Sequence, residues 1–189
     1  LTDNTLLIFM TDNGSSVATF NYGMKGKKGS VNEGGTRVPL FFRLPGRIKA
    51  GVDVDRLTRH VDLFPTLTEF AGTKAPVELN IDGRSLIPLI ENPDAEWPDR
   101  TTVFHKGRWA KEGMRVRKGR PDHNPENSKY TSFAVRNEQW RLVSNNALYD
   151  IDNDPGEKNN VIKAHPEVAQ NMLKAYDAWW DEVRPLMIN

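Results

Sequence analysis

Residues able to bind a cation occur near the start of the chain. Asp12 and Asn13 follow an apolar run and precede Gly14. Their carboxylate and carboxamide oxygens are hard ligands of the kind that Ca²⁺ or Mg²⁺ prefers. The same triplet is also common in turns, where glycine supplies a left-handed backbone. A metal site and a plain turn are therefore both consistent with this run.

A second run, Gly23 to Ser30, places Lys25, Lys27 and Lys28 among three glycines. Glycines let the backbone approach an anion, and lysines supply the opposite charge. The spacing counted from Gly23 does not match the G-x-x-x-x-G-K-[ST] pattern of nucleotide-binding loops. The run is thus either an anion site of another kind or a solvated basic loop.

A third run begins at Glu33, continues through Gly34 and Gly35, and reaches Arg37 and Pro39 just before an apolar segment. Glu33 and Arg37 are four residues apart, and carboxylate–guanidinium pairs are among the strong charge-assisted contacts. We predict that they pair and hold the preceding loop against the following strand. This interpretation gives both residues a structural rather than a catalytic role.

The elements that must position these runs follow from the apolar pattern. The run from Thr5 to Met10 predicts a strand buried on both faces, as in a parallel sheet. Asp12 and Asn13 would then lie at the strand end where ligands bind in α/β sheets. Thr36 to Leu44 predicts a second strand, and Asp62 to Ala71 a helix with Asp62 as its N-cap.

The C-terminal half predicts a different architecture, with short strands separated by polar turns. The last three strands should form an antiparallel meander, followed by a helix that starts at His165-Pro166. The polar stretch 111–129 is predicted to be a mobile loop. We place a domain boundary in the proline-rich segment before residue 99, giving an α/β domain at 1–98 and an antiparallel-sheet domain at 99–189. The predicted strands are Thr101–Phe104, Thr131–Arg136, Trp140–Ser144 and Ala147–Tyr149.

Composition narrows the classes of function. The 189 residues are 38% hydrophobic and 27% charged, with a formal net charge of +1, as in an ordinary globular protein. A net charge this close to zero does not indicate the basic surface with which proteins bind nucleic acid. No apolar run is long enough to span a bilayer. The absence of cysteine excludes disulfides, thiol catalysis and thiolate metal sites.

In combination, these runs resemble the second half of the sulfatase catalytic domain, within the alkaline phosphatase superfamily. The family pattern has a strand that ends in Thr-Asp-Asn-Gly and then Lys-Gly-Ser/Thr-x-x-Glu-Gly-Gly-x-Arg-x-Pro. Here Thr11 to Gly14 and Lys28 to Pro39 match it. His60 to Leu67 resembles the family's next helix. Leu148 to Asp150, with Asp154 to Glu157 and Asn160, resembles its near-terminal segment.

The resemblance implies a fold, an activity and site residues. The fold would be the C-terminal part of the α/β sulfatase domain plus a small antiparallel sheet packed on a C-terminal helix. The parent enzyme would be an arylsulfatase-like sulfuric ester hydrolase that releases inorganic sulfate from a sulfated small molecule or glycan. Asp12 and Asn13 would supply two ligands of a divalent cation, usually Ca²⁺, and Lys28 would contact the sulfate. The resemblance also implies a periplasmic or extracellular location.

One departure from the family pattern concerns the nucleophile, a formylglycine made from Cys or Ser in a [CS]-x-P-x-R motif. The chain has no cysteine, and Ser85 is followed by Leu86-Ile87-Pro88, one position too long. We therefore expect a fragment, starting at Leu1 without an initiator Met, that is inactive without the N-terminal part of the same enzyme. Two alternatives stay open: a phosphonate or phosphodiester hydrolase of the same superfamily, and a non-catalytic binding module.

The histidines give weaker signals. His105 lies at the end of a predicted strand of the C-terminal domain. In this family that domain borders the substrate cleft, so we name His105 as a possible cleft residue. A structural role has the greater weight, because most single histidines are neither ligands nor bases. His60 and His165 are better explained as helix-start residues, and His123 lies in the polar loop.

Overall fold

The computed structural model of the protein describes residues 2–106 and 125–187. His123 and most of the stretch predicted as a mobile loop lie outside those ranges. The described residues form six strands and four α-helices in the order β1, α1, β2, α2, α3, β3, β4, β5, β6 and α4. The strands are β1 (Leu7–Met10), β2 (Leu40–Arg43), β3 (Thr102–His105), β4 (Phe133–Arg136), β5 (Trp140–Val143) and β6 (Ala147–Asp150). The α-helices are α1 (Glu33–Thr36), α2 (Leu63–Phe70), α3 (Ile87–Glu91) and α4 (Pro166–Met187).

The chain divides into two compact units that are not contiguous in sequence. One unit contains residues 1–10 and 39–100, and the other contains residues 11–38 and 101–189. The division at 98/99 stays a prediction. What the sequence did not indicate is that the glycine- and lysine-rich segment 11–38 packs with the C-terminal unit.

The first unit contains a two-stranded sheet. β1 pairs with β2 in antiparallel register, with Leu7 opposite Arg43 and Met10 opposite Leu40. The expectation of a parallel strand buried on both faces is not met in this chain, since Leu7 and Phe9 are 56% and 59% exposed. β2 is the only strand beside β1 within the described ranges. Leu7 and Phe9 share one face of this sheet with Phe41 of β2, which is also exposed, so this face of the sheet is open to solvent.

Asp62 does not cap α2 as predicted; its buried carboxylate instead joins separate segments of the first unit. No capping hydrogen bond from its side chain to α2 is formed. The backbone N–H groups of Arg59 and Arg84 donate to it at 2.6 and 2.9 Å, and both terminal nitrogens of Arg100 also contact it. The geometry is that of a bidentate, charge-assisted pair. This burial, rather than helix capping, explains an acidic residue at the start of an apolar helix.

The second unit is a four-stranded antiparallel sheet covered by α4. Its strand order is β3-β4-β5-β6, so the predicted meander is confirmed. β4 and α4 supply most of the core, and the rings of Phe133 and Tyr176 stack with centroids 3.9 Å apart. The predicted C-terminal helix is confirmed as α4, which buries Ala169, Met172, Tyr176 and Trp180. No helix in the described ranges combines the length and apolar character needed to cross a membrane.

Candidate functional site

Asp12 and Asn13 lie just after β1, at the start of the segment that packs with the second unit. Asp12 is exposed and Asn13 is partly exposed, so their oxygen atoms are accessible. The next residue, Gly14, is buried and donates its N–H to the Gly35 carbonyl at 3.1 Å. A Cβ on Gly14 would lie 2.0 Å from the Gly34 carbonyl oxygen, a distance no side chain tolerates. Glycine is therefore required to hold Asp12 and Asn13 against the Gly34-Gly35 backbone.

Lys28 closes a loop that we call the lysine loop, residues 15–30. Its N–H donates to the Ser15 carbonyl at 2.8 Å, which joins the two ends of the loop. The Lys28 side chain is exposed. Because Ser15 is two residues from Asn13, this bond brings the backbone of Lys28 close to the two candidate metal ligands. The structure thus brings Asp12, Asn13 and Lys28 to one end of a single loop.

The interior of the lysine loop is ordered by one buried amide. The Asn21 side chain donates to the carbonyls of Met24 at 2.6 Å and Gly26 at 3.1 Å. The Lys25 carbonyl accepts from the Gly34 N–H at 2.8 Å, which ties the loop to α1. These hydrogen bonds satisfy backbone polar groups that have no regular partner outside a helix or a sheet. The loop is a built structure rather than a solvated tail.

The other two lysines of the loop differ in their surroundings. The Lys25 ammonium lies 3.3 Å from the Tyr149 hydroxyl and 5.0 Å from the centre of the same ring. Cation–π contacts of this kind are weakly favourable at exposed sites. Lys27 is exposed, and its backbone N–H donates to the Ser30 hydroxyl at 3.2 Å. Lys25 is thus held against β6, whereas nothing described holds the Lys27 ammonium.

Glu33 is buried directly after the lysine loop, and its main partner is Arg141 of β5. The Arg141 Nη2 and Nε atoms donate to Glu33 Oε2 at 2.6 and 3.0 Å. Arg141 also donates to the Val31 carbonyl at 2.5 Å and to the Thr36 hydroxyl at 3.0 Å. Burial lowers the pKa of the Arg141 guanidinium, and the Glu33 carboxylate opposes that change. One arginine therefore fastens the end of the lysine loop and α1 to the sheet.

A second buried carboxylate, Glu157, completes this anchor. Its two oxygens accept hydrogen bonds from the Glu33 N–H at 2.7 Å and from the Asn32 side chain at 2.5 Å. The Arg136 Nε atom lies 3.5 Å from Glu33 Oε2, so two guanidinium groups balance two carboxylates. Buried charges are tolerated when they are paired and hydrogen-bonded in this way. We call Glu33, Arg136, Arg141 and Glu157 the buried anchor.

Arg37 has a smaller part than the sequence suggested. Its closest guanidinium nitrogen lies 3.7 Å from Glu33 Oε1, and its side chain is 57% exposed. The predicted pair thus exists as an ion pair, but the arginine that donates two hydrogen bonds to Glu33 is Arg141. That Glu33 and Arg37 support the loop stays a prediction. Of the two residues, Glu33 makes the buried contacts.

His105 is the last residue of β3, and its side chain packs against α4. Its Nε2 atom is 3.0 Å from the Ser128 carbonyl, and its ring centre is 5.2 Å from that of Trp180. Burial lowers the pKa of His105, although the bond to Ser128 acts in the opposite direction. A neutral ring among aromatic side chains has a packing role. Its place beside a substrate cleft stays a prediction.

Residues available for a metal are few in this chain. Among residues 2–106 and 125–187, no group of three or more His, Asp or Glu side chains is arranged to hold an ion. Asp12 and Asn13 offer two oxygen ligands, and Ca²⁺ takes about six to eight. Their oxygen atoms suit a hard cation, but two ligands are fewer than a complete site needs.

A family model described as N-sulphoglucosamine sulphohydrolase, C-terminal, matches residues 22–178, most of the chain. The chain belongs to the sulfatase family. Two relatives illustrate the match. An uncharacterized sulfatase, YdeN, of Escherichia coli is 29% identical over 97% of this chain and 36% of its own length. An N-acetylgalactosamine-6-O-sulfatase of Bacteroides thetaiotaomicron is 27% identical over 94% of this chain and 37% of its own.

A solved structure gives the same result for the fold. Ps i-CgsB, in complex with k-i-k-neocarrahexaose, superposes with a TM-score of 0.76 at 29% identity, covering 94% of this chain and 37% of that one. The predicted fold class, the C-terminal part of the sulfatase domain, is confirmed. This sulfatase chain spans little more than a third of the length of these relatives.

The sequence patterns did not single out Arg141, the residue that hydrogen-bonds to Val31, Glu33 and Thr36. Arg141 lies in β5 between apolar neighbours, and a charge inside such a strand was the available signal. Glu157 belongs to a motif that the sequence singled out, but the motif gave no indication of its partner. The glycine and lysine content of residues 23–30 marked part of the lysine loop, but it did not indicate the closure between Ser15 and Lys28.

Proposed function

We propose that this chain is the C-terminal part of an enzyme that hydrolyses sulfate esters. In the net reaction the ester S–O bond breaks and water supplies the replacing oxygen, so the products are an alcohol, sulfate and a proton. The observation that carries the proposal is the loop closure at Ser15 and Lys28. It brings the backbone of Lys28, whose side chain is exposed, close to Asp12 and Asn13, whose oxygen atoms suit a hard cation.

Lys28 and the cation ligands have complementary tasks. Lys28 donates to the sulfate oxygens, whose charge must be balanced as the alcohol leaves. Asp12 and Asn13 hold part of a Ca²⁺ or Mg²⁺ site, and a cation there would polarise the sulfate ester. The buried anchor keeps the end of the lysine loop fixed, so that Lys28 does not have to be ordered when substrate binds.

The nucleophile is proposed to come from the N-terminal part of the same enzyme. No residue of this chain fits the formylglycine motif, because there is no cysteine and no serine with the required Pro and Arg spacing. Residues of that part would also complete the cation site. The chain on its own is therefore proposed to be inactive.

The first test compares the full-length enzyme with residues 1–189 alone. The full-length enzyme should release sulfate from an aryl sulfate or a sulfated oligosaccharide faster than it cleaves the matching phosphate diester. Residues 1–189 should give no turnover above a heat-killed control. Sulfate release can be followed by ion chromatography. Turnover by the isolated chain, or a preference for the phosphate diester, would refute the proposal.

Removal of the cation should also abolish activity. Chelation of the full-length enzyme should stop turnover, and added Ca²⁺ should restore it, because the cation balances charge on the sulfate. In calorimetry, Asp12→Ala should weaken Ca²⁺ binding, since a carboxylate ligand is lost. Asp53→Ala, which removes an exposed carboxylate in the other unit, is the control. Equal Ca²⁺ affinity for Asp12→Ala and wild type would remove Asp12 from the site.

A further inference from the structure

The lysine loop carries two aromatic side chains that project into solvent. Phe20 is 86% exposed and Tyr22 is 92% exposed, although hydrophobic side chains of this size are usually covered. The Tyr22 backbone has φ of +55°, a left-handed conformation that residues other than glycine adopt at a cost. Phe20 and Tyr22 are the two most exposed aromatic side chains in the described ranges, and a binding role would account for rings held in solvent at a left-handed turn.

Both rings are held by the residue between them. Asn21 is buried, and its amide bonds to Met24 and Gly26 fix the backbone on which Phe20 and Tyr22 sit. The Met24 N–H also donates to the Asn21 carbonyl at 3.0 Å, which closes the turn around Tyr22. The turn is fixed before a ligand binds, so the two rings already form a surface. Binding does not require the loop to become ordered.

The charge around the rings has one sign. Within the lysine loop, residues 15–30, every charged residue is a lysine, namely Lys25, Lys27 and Lys28. A ligand that suits this loop is therefore anionic and has an apolar face that can stack on an aromatic ring. A sulfated sugar ring has both properties, since its C–H groups form an apolar face and its sulfate groups carry the charge.

We propose that Phe20 and Tyr22 form a sugar-stacking surface that makes a sulfated oligosaccharide, rather than a small aryl sulfate, the preferred substrate. This inference rests on the proposed sulfatase function. The loop closure at Ser15 and Lys28 places both rings on the loop that holds the sulfate contact. A sulfate ester bound at Lys28 would thus have its neighbouring sugars within the same loop's reach, and the rings select for those sugars.

The test measures kcat/KM of the full-length enzyme for a sulfated oligosaccharide and for a small aryl sulfate. Tyr22→Asn should lower the ratio of the first value to the second by about 3- to 10-fold, the range expected for one stacking contact. Asparagine tolerates the left-handed backbone, so the turn is retained. Tyr22→Phe keeps the ring and should keep the ratio. Phe20→Ala should lower it by a similar factor.

Val77→Ala is the matched control, because it shortens a 93% exposed side chain in the other unit. It should leave the substrate ratio at the wild-type value. An unchanged ratio in both Tyr22→Asn and Phe20→Ala, with sulfate esters still hydrolysed, would overturn the stacking surface and leave the proposed function intact. It would mean that another part of the enzyme covers these rings. A wild-type enzyme that hydrolyses neither sulfate ester would overturn both proposals.

Discussion

In the full-length enzyme, Lys28→Ala is expected to lower kcat/KM for a sulfate ester by roughly 10²–10³-fold, the usual effect of removing one donor to a developing charge. The Lys28 side chain is exposed and makes no contact that the lysine loop needs, whereas its backbone N–H holds the loop closed. Alanine keeps that N–H. The variant should therefore retain its folded structure and melting temperature while it loses activity.

Lys27→Ala is the control for this prediction, because it removes the same charge from the neighbouring position of the same loop. It should lower kcat/KM far less than Lys28→Ala does. If the two effects are reversed, the sulfate contact belongs to Lys27. If neither variant is impaired, the lysine loop does not bind the sulfate that is cleaved.

Sequence patterns predicted the local elements of the second unit well. Polar turns between short apolar runs gave the β4-β5-β6 meander, because neighbouring strands joined by tight turns pair in antiparallel fashion. The chain after His165-Pro166 was predicted to form a helix, and α4 is that helix. In both cases residues that are close in sequence interact, so the pattern is sufficient.

The same patterns were less informative wherever the partner of a residue is distant in sequence. Glu33 and Arg141 are separated by 108 positions, and the sequence around either residue does not indicate that the other is its partner. Arg37 was the obvious partner because a four-residue spacing suits an ion pair. The first turn of α1 instead directs Glu33 into the interior, where an arginine from β5 meets it. Local spacing gave the right residue and the wrong main partner.

Burial of β1 also depends on residues that a local pattern does not specify. An apolar run of this length predicts a strand, and the strand is present. Its neighbour and its direction are set by the chain that pairs with it, and here β2 pairs in antiparallel fashion. Continuous hydrophobicity thus predicted the type of element but not the sheet around it. Asp62 illustrates the same point, since its partner Arg100 is 38 residues away.

The largest effect on stability is expected at Arg141. Arg141→Ala should lower the free energy of unfolding of the full-length enzyme by about 3–5 kcal/mol, because it leaves the carboxylates of Glu33 and Glu157 buried with one guanidinium group between them. The substitution also leaves the Val31 carbonyl and the Thr36 hydroxyl without their described donor. Urea unfolding, monitored by intrinsic tryptophan fluorescence, to which the buried Trp180 of the same unit contributes, measures the change.

Arg37→Ala separates this anchor from a general effect of positive charge near Glu33. Both arginines contact the same carboxylate, but Arg37 is 57% exposed and its nearest nitrogen is 3.7 Å from Glu33. An exposed pair of that kind contributes about 0–1 kcal/mol, so Arg37→Ala should unfold close to wild type. Equal losses in the two variants would show that the total charge near Glu33, rather than the buried bonds of Arg141, stabilises the lysine loop. A loss below about 1 kcal/mol for Arg141→Ala would contradict the buried anchor itself.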